Sequence, residues 1–524
     1  MHLNGEKAPY ELLEQPQSAP KHIKIIHVGA GAAGMLAAYK ARRMLENYEL
    51  VCYEKNPVPG GTWWENRYPG CACDIAAHTY TFSFEPNPEW SSFYAYSPEI
   101  QDYMMRFYEK YELAPFVKLN TEVVGAGMLN FAEMVRRSTI HVTYSSMEAE
   151  WSTDGNVSLA LRVEILVRFA DWAEHVTVFM RNCTWIAPQI DEDVQKAAED
   201  GETPAPAGKH YYTAREKEHF RSDPDFHLQY RKSLETRMAR KFDLFLRGTE
   251  TNVKARVAMR ESMMRRIGPG HEELKEKLIP AWSPGCRRLT PGEGYLEALV
   301  RPNVSTIHEE IERVTPTGLV TSSGKEVEVD IIACGTGFYV SYVPHFKIVG
   351  TNGVVMQEDW ADEPNIYCSI SGPGYPNYFV VNGPRGNWGQ GCALPSHEVQ
   401  IEYALQCVKK MQEDRIKAME VRQGPTTDFN EHVDKWHDKY SVWREDCKSW
   451  YKKNTKAGRV YIWGGSMLHH LKALRVPRYE HYEMRYWESN CFAFLGCGKT
   501  AQELEPEGKD LAPFLRNADT PWEC

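Results

Sequence analysis

The fold of this chain is decided by Ile23-Lys24-Ile25-Ile26-His27-Val28-Gly29-Ala30-Gly31-Ala32-Ala33-Gly34. The first six residues predict a short buried strand, and an Ala-, Leu- and Met-rich segment to about Leu45 predicts the helix that follows the glycine loop. Backbone N–H groups at such a helix N-terminus bind a pyrophosphate. Gly29 permits the tight turn, Gly31 lets the phosphates approach the main chain, and Gly34 lets the helix lie close to the strand.

A second predicted strand, Leu50–Tyr53, ends at Glu54, which lies 25 residues after Gly29. An acid at this distance accepts hydrogen bonds from ribose hydroxyls in dinucleotide-binding folds. The alternative for Glu54 is a solvated strand end. Because strand, loop, helix, strand and acid follow one another in order, the sequence predicts a dinucleotide-binding unit.

The composition predicts an ordinary globular protein. The chain has 524 residues, a net charge of −10 and 42% hydrophobic residues, which is enough for up to about three domains. It shows no basic stripe and no apolar run of about 18 residues, so we expect neither a nucleic-acid nor a membrane partner. Met1–Pro20 lacks the apolar core of a signal peptide.

Cysteine usage predicts a reducing compartment, the cytoplasm. The thirteen cysteines are an odd number scattered along a long chain, unlike a disulfide scaffold. Cys71-x-Cys73 has no second pair or histidine cluster at zinc spacing, so we expect no metal site. The chain also lacks a Gly-x-Ser-x-Gly nucleophile elbow, which gives triad hydrolysis no support.

Several separate blocks resemble Baeyer–Villiger monooxygenases, which are FAD-dependent. Gly60–Gly70 followed by Cys73-Asp74 is similar to the flavin-binding stretch of that family, and Gly285–Leu289 resembles the segment that carries its active-site arginine. The other blocks are Asp330–Phe338, similar to the strand that returns to the FAD lobe; Gly372–Asn377 and Asn382–Pro384, similar to later loops; and Trp443–Tyr451 with Gly464–Ser466, similar to C-terminal parts of fungal members.

The resemblance implies an α/β fold with two Rossmann-like dinucleotide-binding lobes and added helical segments. It implies FAD and NADPH as cofactors, and O2 and a ketone as small-molecule substrates. In that chemistry NADPH reduces FAD, oxygen adds to the reduced flavin at C4a, and the C4a-peroxyflavin attacks the carbonyl carbon. One carbon then migrates to oxygen, and the ketone becomes an ester or lactone.

The resemblance also assigns residues. Arg288 would stabilise the peroxyanion and the developing oxyanion, and Asp74 would hold its orientation. The alternatives are a surface arginine paired with Arg287 and a turn or helix-cap aspartate. The implied FAD contacts are Gly29, Gly31, Gly34, Glu54, Thr62, Trp63, Trp64, Glu65, Asp74, Ile75 and Tyr80, and the implied NADP contacts are Ala72, Cys73, Arg181 and Asn182.

The second nucleotide-binding lobe departs from the family's pattern. A second Gly-x-Gly-x-x-Gly loop should precede the predicted strand His175–Phe179, but Gly155–Ala160 carries Val157 and Ala160 in place of the second and third glycines. A valine Cβ obstructs the approach of a phosphate. Arg181 stands where an NADPH 2′-phosphate would need a cation, although a solvated arginine explains it equally well.

Two further signals are missing from this region. Gly125-Ala126-Gly127 lies too far upstream to be the missing loop and predicts a turn. The family's Phe-x-Gly-x-x-x-His-x-x-x-Trp fingerprint is not found, since Ser145 rather than tryptophan follows His141 by four residues. Either the NADPH lobe has degenerated, or coding sequence is missing near residues 120–175.

Helical spacing of Met and Leu predicts long amphipathic helices over residues 211–280, punctuated by Gly268-Pro269-Gly270. Strands are predicted at Asn303–Ile307 and Val327–Ile332, with a hairpin-rich stretch at Val314–Gly324. The predicted segments are a flexible arm (1–20), the first part of the FAD lobe (21–125), a reduced NADPH-type lobe with helices (126–290), the second part of the FAD lobe (291–400) and a helical, Trp/Tyr-rich C-terminal segment (401–524).

Three functional hypotheses remain open. The first is a Baeyer–Villiger-type monooxygenase acting on a bulky, aromatic or polycyclic ketone of secondary metabolism, a substrate class that rests only on similarity to fungal members. The second is an FAD-dependent oxidase, desaturase or isomerase that no longer uses NADPH. The third is an inactive relative that serves as a binding partner. The sequence leaves the oligomeric state undetermined.

Overall fold

The computed structural model describes residues 10–68, 70–127, 139–144, 166–167, 169–180, 182–187, 210–292, 294–334 and 342–522, with the backbone alone at 139–144 and 290–291. Its strands are β1 (Ile23–Val28), β2 (Tyr48–Tyr53), β3 (Val117–Lys118), β4 (Gly125–Gly127), β5 (Thr139–Tyr144), β6 (Val176–Phe179), β7 (Ile186–Ala187), β8 (Thr290–Pro291), β9 (Val304–Ile307), β10 (Ile311–Thr315), β11 (Gly318–Thr321), β12 (Glu326–Glu328), β13 (Lys347–Val349), β14 (Tyr378–Val381), β15 (Ile416–Val421) and β16 (Tyr482–Tyr486). Its helices are α1 (Ala32–Met44), α2 (Thr62–Glu65), α3 (Ser97–Lys110), α4 (Ala214–Ser222), α5 (Pro224–Arg240), α6 (Glu250–Ile267), α7 (Glu272–Leu278), α8 (Tyr295–Leu299), α9 (Met356–Asp359), α10 (Leu394–Glu413), α11 (Gln423–Tyr440), α12 (Met467–Leu474) and α13 (Ala501–Leu504).

The main sheet has five parallel strands in the order β14-β5-β1-β2-β3. α1 packs against β1 and β2, and α10 packs against α1. Met35, Leu36 and Ala38 bury one face of α1 in the largest hydrophobic cluster. The predicted succession of strand, glycine loop, helix and strand is confirmed. The loop therefore lies at the carboxyl end of β1, where parallel sheets bind nucleotides.

The strand predicted at Val327–Ile332 is wrong in extent. β12 ends at Glu328 and pairs antiparallel with β11, while Ile331 is 75% exposed and Ile332 is 42% exposed. β5 instead holds the place between β1 and β14 in the main sheet. Five of the six residues of β5 are β-branched or aromatic, which favours a strand. Because one edge of β1 can pair with only one strand, β5 excludes Val327–Ile332 from this place in the sheet.

The turn predicted at Gly125–Gly127 is also wrong, because this segment forms β4 and pairs in parallel with β13. Glycine weakens a strand without excluding it, and the pairing with β13 supplies the backbone hydrogen bonds here. Sequence alone offered no partner strand for this segment.

The second lobe contains β6 paired with β9 and β7 paired with β8, both in parallel. Its hydrophobic cluster includes Trp185, Met263 and Leu296. β6 and β9 confirm two predicted strands, and β10 with β11 confirms the predicted hairpin. The loop at Gly155–Ala160 and the segment Ser145–Glu150 lie outside the described residues.

The helices predicted over 211–280 are confirmed as α4 to α7. A capping box at Thr213 and Glu216 begins α4, and Gly268 ends α6 with a φ of 78°. Within the described ranges, every helix is too short or too polar to cross a membrane.

The C-terminal segment contains an antiparallel pair, β15 and β16, that the sequence analysis missed. The backbone of Gln17 donates a hydrogen bond to the Lys499 carbonyl, and that of Cys497 donates to Gln15. Residues 15–18, within the segment expected to be a flexible arm, are thus bound to the C-terminal segment.

Candidate active site

The glycine loop leaves a cleft of bare backbone at the carboxyl end of β1. Gly29 has a φ of 95°, a conformation that glycine adopts without strain. A Cβ at Gly34 would overlap the Gly29 carbonyl oxygen, so this position requires glycine. No side chain caps the N-terminus of α1 among the described residues, which leaves its backbone donors available.

A second glycine pair faces the first. The backbone N–H of Gly60 donates to the Ala30 carbonyl at 3.1 Å. A Cβ at Gly61 would lie 3.1 Å from the Gly31 Cα, and a Cβ at Gly31 would lie 3.5 Å from the Gly61 Cα. Any larger residue at either position would fill the space between the loops.

Glu54 is a buried carboxylate, only 4% exposed, at the end of β2. It accepts hydrogen bonds from the backbone N–H of Ala30 at 2.7 Å and of Asn56 at 2.9 Å. Each oxygen keeps a lone pair for a ribose hydroxyl. The alternative of a solvated strand end is wrong. The bare glycine cleft, the open helix N-terminus and this oriented carboxylate together fit the ADP half of a dinucleotide.

The short helix α2 fixes the aromatic side chains beside the cleft. Trp63 is 8% exposed, and its Nε1 donates to the Tyr80 hydroxyl at 3.2 Å. Glu65 accepts from Asn56 Nδ2 at 2.9 Å and lies 3.3 Å from Lys55 Nζ, while the Arg67 guanidinium lies 4.4 Å from the centre of the Trp64 ring. Thr62 begins α2, and Ile75 follows Asp74 in the next loop.

Arg288 and Asp74 form a bidentate ion pair. Arg288 Nε donates to Asp74 Oδ2 and Nη2 donates to Oδ1, both at 2.6 Å. Asp74 raises the pKa of Arg288 above its usual value, so the guanidinium stays charged. The side chain of Arg288 is nevertheless 42% exposed, which leaves donors free on its outer edge. The sequence analysis paired these residues by resemblance, and the structure brings them together.

The loop that carries Arg288 is tied to the C-terminal segment. Cys286, two residues before Arg288, is disulfide-bonded to Cys447, and both cysteines are buried. The backbone N–H of Ser283 also donates to Glu445 Oε2 at 2.7 Å. Tyr451, which follows in the same segment, lies close enough to the guanidinium for each to affect the other's pKa, and burial raises the Tyr451 pKa to about 12.

Sequence reasoning missed this disulfide. Ten of the twelve cysteines in the described ranges are free, so an unpaired set was a fair expectation for most of them. The available signal was position, because Cys286 and Cys447 fall inside the two blocks Gly285–Leu289 and Trp443–Tyr451 that carry the family resemblance.

The predicted NADP contacts are only partly placed. Ala72 bridges to Tyr96, and Cys73 is 8% exposed with its thiol pKa raised by burial. Both therefore lie next to Asp74. Asn182 is exposed in the second lobe, and Arg181 lies outside the described residues.

Comparison with known proteins agrees with this geometry. Residues 28–97 match the family model of an NAD(P)-binding Rossmann-like domain. The chain is 33% identical over 550 residues to the FAD-binding monooxygenase tazF of Aspergillus terreus, covering 95% of this chain and 96% of that protein. It is 32% identical over 569 residues to the FAD-binding monooxygenase moxY of Dothistroma septosporum, covering 96% and 86%.

A bacterial relative and a solved structure point the same way. A Baeyer–Villiger monooxygenase of Pseudomonas aeruginosa is 30% identical over 511 residues, covering 88% of this chain and 92% of that protein. The closed crystal structure of cyclohexanone monooxygenase shares the fold, with a TM-score of 0.71 at 20% identity over 89% of this chain and 100% of that one. This chain belongs to the family of FAD-binding monooxygenases of the Baeyer–Villiger type.

Proposed function

We propose that this enzyme uses FAD, NADPH and O2 to insert one oxygen atom beside the carbonyl group of a ketone. The observation that carries the proposal is the bidentate Arg288–Asp74 pair, which joins the segment after the second glycine pair to a loop 214 residues away. When bound, FAD accepts a hydride from NADPH and activates O2. The chain's own residues bind it, orient the reactants and stabilise charge.

The FAD lobe would be built from residues 21–125 and 291–400. Gly29, Gly31 and Gly34 would give the pyrophosphate access to the N-terminus of α1, and Glu54 would accept the ribose hydroxyls. Thr62, Trp63, Trp64, Glu65, Asp74, Ile75 and Tyr80 would complete the FAD contacts.

Arg288 would stabilise negative charge that develops on oxygen during the reaction. A guanidinium is suited to this because it stays protonated and presents several donors in one plane. Asp74 occupies two of those donors and fixes the plane of the group, while the exposed edge of Arg288 remains available. Preorganised donors of this kind need no rearrangement as charge develops.

NADPH would bind through Ala72 and Cys73, which adjoin Asp74, and through Arg181 and Asn182 of the second lobe. The substitutions Val157 and Ala160 favour a second candidate, an FAD-dependent enzyme that is reduced by its own substrate. The substrate we propose is a bulky aromatic or polycyclic ketone of secondary metabolism. Similarity to the two fungal FAD-binding monooxygenases supports this class.

Arg288→Ala tests the assignment. The variant should retain bound FAD and lose oxygen insertion by about 100- to 1,000-fold, because one preorganised charge-stabilising donor group is removed. Incorporation of ¹⁸O from ¹⁸O2 into a panel of aryl ketones, followed by mass spectrometry, measures the reaction.

Arg287→Ala is the matched control, since Arg287 donates to the Cys183 carbonyl at 3.2 Å and precedes Arg288 in the same loop. Unchanged turnover in Arg288→Ala would refute the catalytic role. Products without the label in the wild-type enzyme, together with flavin reduced by a substrate alone, would favour the second candidate.

A further inference from the structure

The loop that carries Arg288 has little regular structure of its own. The structure describes all of residues 279–289, which lie between α7 and β8 and contain turns and bends but no helix or strand. Within the loop, the backbone N–H of Cys286 donates to the Ser283 carbonyl at 3.2 Å. Such a segment keeps one conformation only where neighbouring elements bind it. The position of Arg288 therefore depends on contacts that the loop makes with other parts of the chain.

The second lobe binds the first half of this loop. Asn252 Nδ2 on α6 donates to the Pro284 carbonyl at 3.3 Å, and Trp185 Nε1 donates to the Trp282 carbonyl at 2.9 Å. These contacts fix the loop backbone four or more residues before Arg288. They leave the placement of the arginine itself to contacts nearer to it.

The C-terminal segment binds the loop closer to Arg288. Cys286 is joined to Cys447 by the disulfide, and the Ser283 N–H donates to Glu445 Oε2 at 2.7 Å. A hydrogen bond can exchange its partner for water, whereas a covalent bond cannot, so the disulfide limits how far the loop can move. Both cysteines are at most 1% exposed, which shields the bond from reductants in solution.

Contacts with the same C-terminal segment continue after Arg288. Leu289 packs against a hydrophobic cluster that contains Trp443 and Tyr451. Tyr451 also lies close enough to Arg288 for each group to affect the pKa of the other. Arg288 is thus flanked by two residues, Cys286 and Leu289, that are both bound to the C-terminal segment.

We propose that the Cys286–Cys447 disulfide positions the Arg288 guanidinium for oxygen insertion. Asp74 fixes the plane of the guanidinium at one end of the side chain, and the disulfide restrains the backbone at the other end. Charge stabilisation needs donors that are in place before the charge develops, and a misplacement of about 1 Å can cost about 100-fold in rate. The inference rests on the proposed function, because it adds positioning residues to the arginine assigned there.

Cys447→Ser breaks the bond and gives the first test. The assay uses the aryl ketone that yields most ¹⁸O-labelled product, at a temperature where circular dichroism shows the variant to be folded. The kcat should fall by about tenfold, less than in Arg288→Ala, because Asp74 still holds the guanidinium. The KM for the ketone should change less than twofold, since the effect lies on charge that develops in the transition state.

Cys407→Ser is the matched control, because Cys407 is fully buried but free. It should keep the wild-type kcat, and both variants should keep the wild-type FAD content and rate of flavin reduction by NADPH. An unchanged kcat in Cys447→Ser overturns the proposal. So does an equal loss in both variants, which would reflect the buried serine hydroxyl.

Double variants test whether the disulfide acts through Arg288. Cys286→Ser and Cys447→Ser break the same bond, so the double variant should be no slower than either single variant. In an Arg288→Ala background, Cys447→Ser should change the residual rate of labelled product by less than twofold, since the group that it positions is already absent. A further tenfold loss in that background would show a general structural effect and would contradict the proposal.

Amide hydrogen exchange of the resting, FAD-loaded enzyme measures the loop without turnover. Cys447→Ser should speed exchange in a peptide spanning residues 283–289 by at least tenfold, and Cys407→Ser should leave it unchanged. Unchanged exchange in Cys447→Ser refutes the positioning role alone. Absence of labelled product from the wild-type enzyme with every ketone would instead refute the proposed function, and this inference with it.

Discussion

The two nucleotide-binding lobes of this enzyme differ in how their loops admit a phosphate. In the first lobe, Gly31 and Gly61 bring two backbone segments together with no side chain between them. In the second lobe, β6 is in place, but the sequence before it has Val157 where the first lobe has Gly31. Because a bound phosphate needs close approach to bare backbone, we expect the first loop to admit it more easily than the second.

The largest expected effect comes from making the first lobe resemble the second. Gly31→Val should reduce FAD affinity by at least 100-fold, since the valine methyl groups would fill the cleft facing Gly61. The φ of Gly31 is −74°, which valine also adopts, so the chain should still fold. Flavin absorbance per chain and far-UV circular dichroism measure the two effects.

Gly424→Val is the matched control, because a Cβ at Gly424 meets no atom within 4 Å. This variant should keep its flavin. Full flavin content in Gly31→Val would show that the loop has been placed incorrectly.

The second effect concerns the tie between the Arg288 loop and the C-terminal segment. Cys447→Ser should lower the free energy of unfolding by about 2–5 kcal/mol, because the disulfide closes a long loop in the unfolded chain. The bond joins residues 161 positions apart. Urea unfolding with and without dithiothreitol measures the change, and the reductant should destabilise only the wild type. Equal wild-type stability in both conditions would exclude a contribution from this disulfide.

A smaller effect concerns Glu235, whose pKa is raised to about 7, first by burial. Thr79 and Arg231 both oppose the shift, and Cys392 on the neighbouring loop also lies close. The folded protein thus holds a proton that the unfolded chain releases near pH 4.5. The contribution of Glu235 to the free energy of unfolding therefore falls as the pH rises from about 4.5 to about 7, and it is lowest above pH 7.

Glu235→Gln should consequently gain stability relative to the wild type as the pH rises from 5 to 8, by roughly 2 kcal/mol in total. Urea midpoints at several pH values measure the difference, with the exposed Lys232→Gln on the same helix as the control. If the difference in stability between Glu235→Gln and the wild type is the same at every pH, the raised pKa of Glu235 is contradicted.

The smallest expected effect comes from making the second lobe resemble the first. Val157→Gly should lower the KM for NADPH by about two- to fivefold, because one obstructing side chain is worth only about 1 kcal/mol when other contacts remain. Stopped-flow reduction of the flavin at varied NADPH concentrations measures it. Val476→Gly, at a position 62% exposed, controls for added backbone freedom. A higher KM in Val157→Gly would argue against a phosphate site at this loop.

Local signals predicted the first lobe well. The strand Ile23–Val28, the helix after it and the acid at Glu54 depend on neighbouring residues, so patterning and spacing suffice to place them. The pairing of Arg288 with Asp74 came only from resemblance, since nothing local links residues so far apart.

Contacts between segments far apart in the sequence explain the structural features that the sequence analysis predicted wrongly or missed. Asp330–Ile332 has the composition of a buried strand, but β5 holds the position beside β1. The Cys286–Cys447 bond also arises from a contact between distant segments. Sequence periodicity predicts the helix or strand to which a residue belongs, but it does not predict which other helix or strand packs against that residue.

The central claim, that the first lobe holds FAD which NADPH then reduces, is tested most directly by the absorbance of the purified enzyme before and after anaerobic mixing with NADPH. The account predicts a yellow protein with about one flavin per chain, which NADPH bleaches promptly. A colourless protein that takes up no added FAD would contradict it.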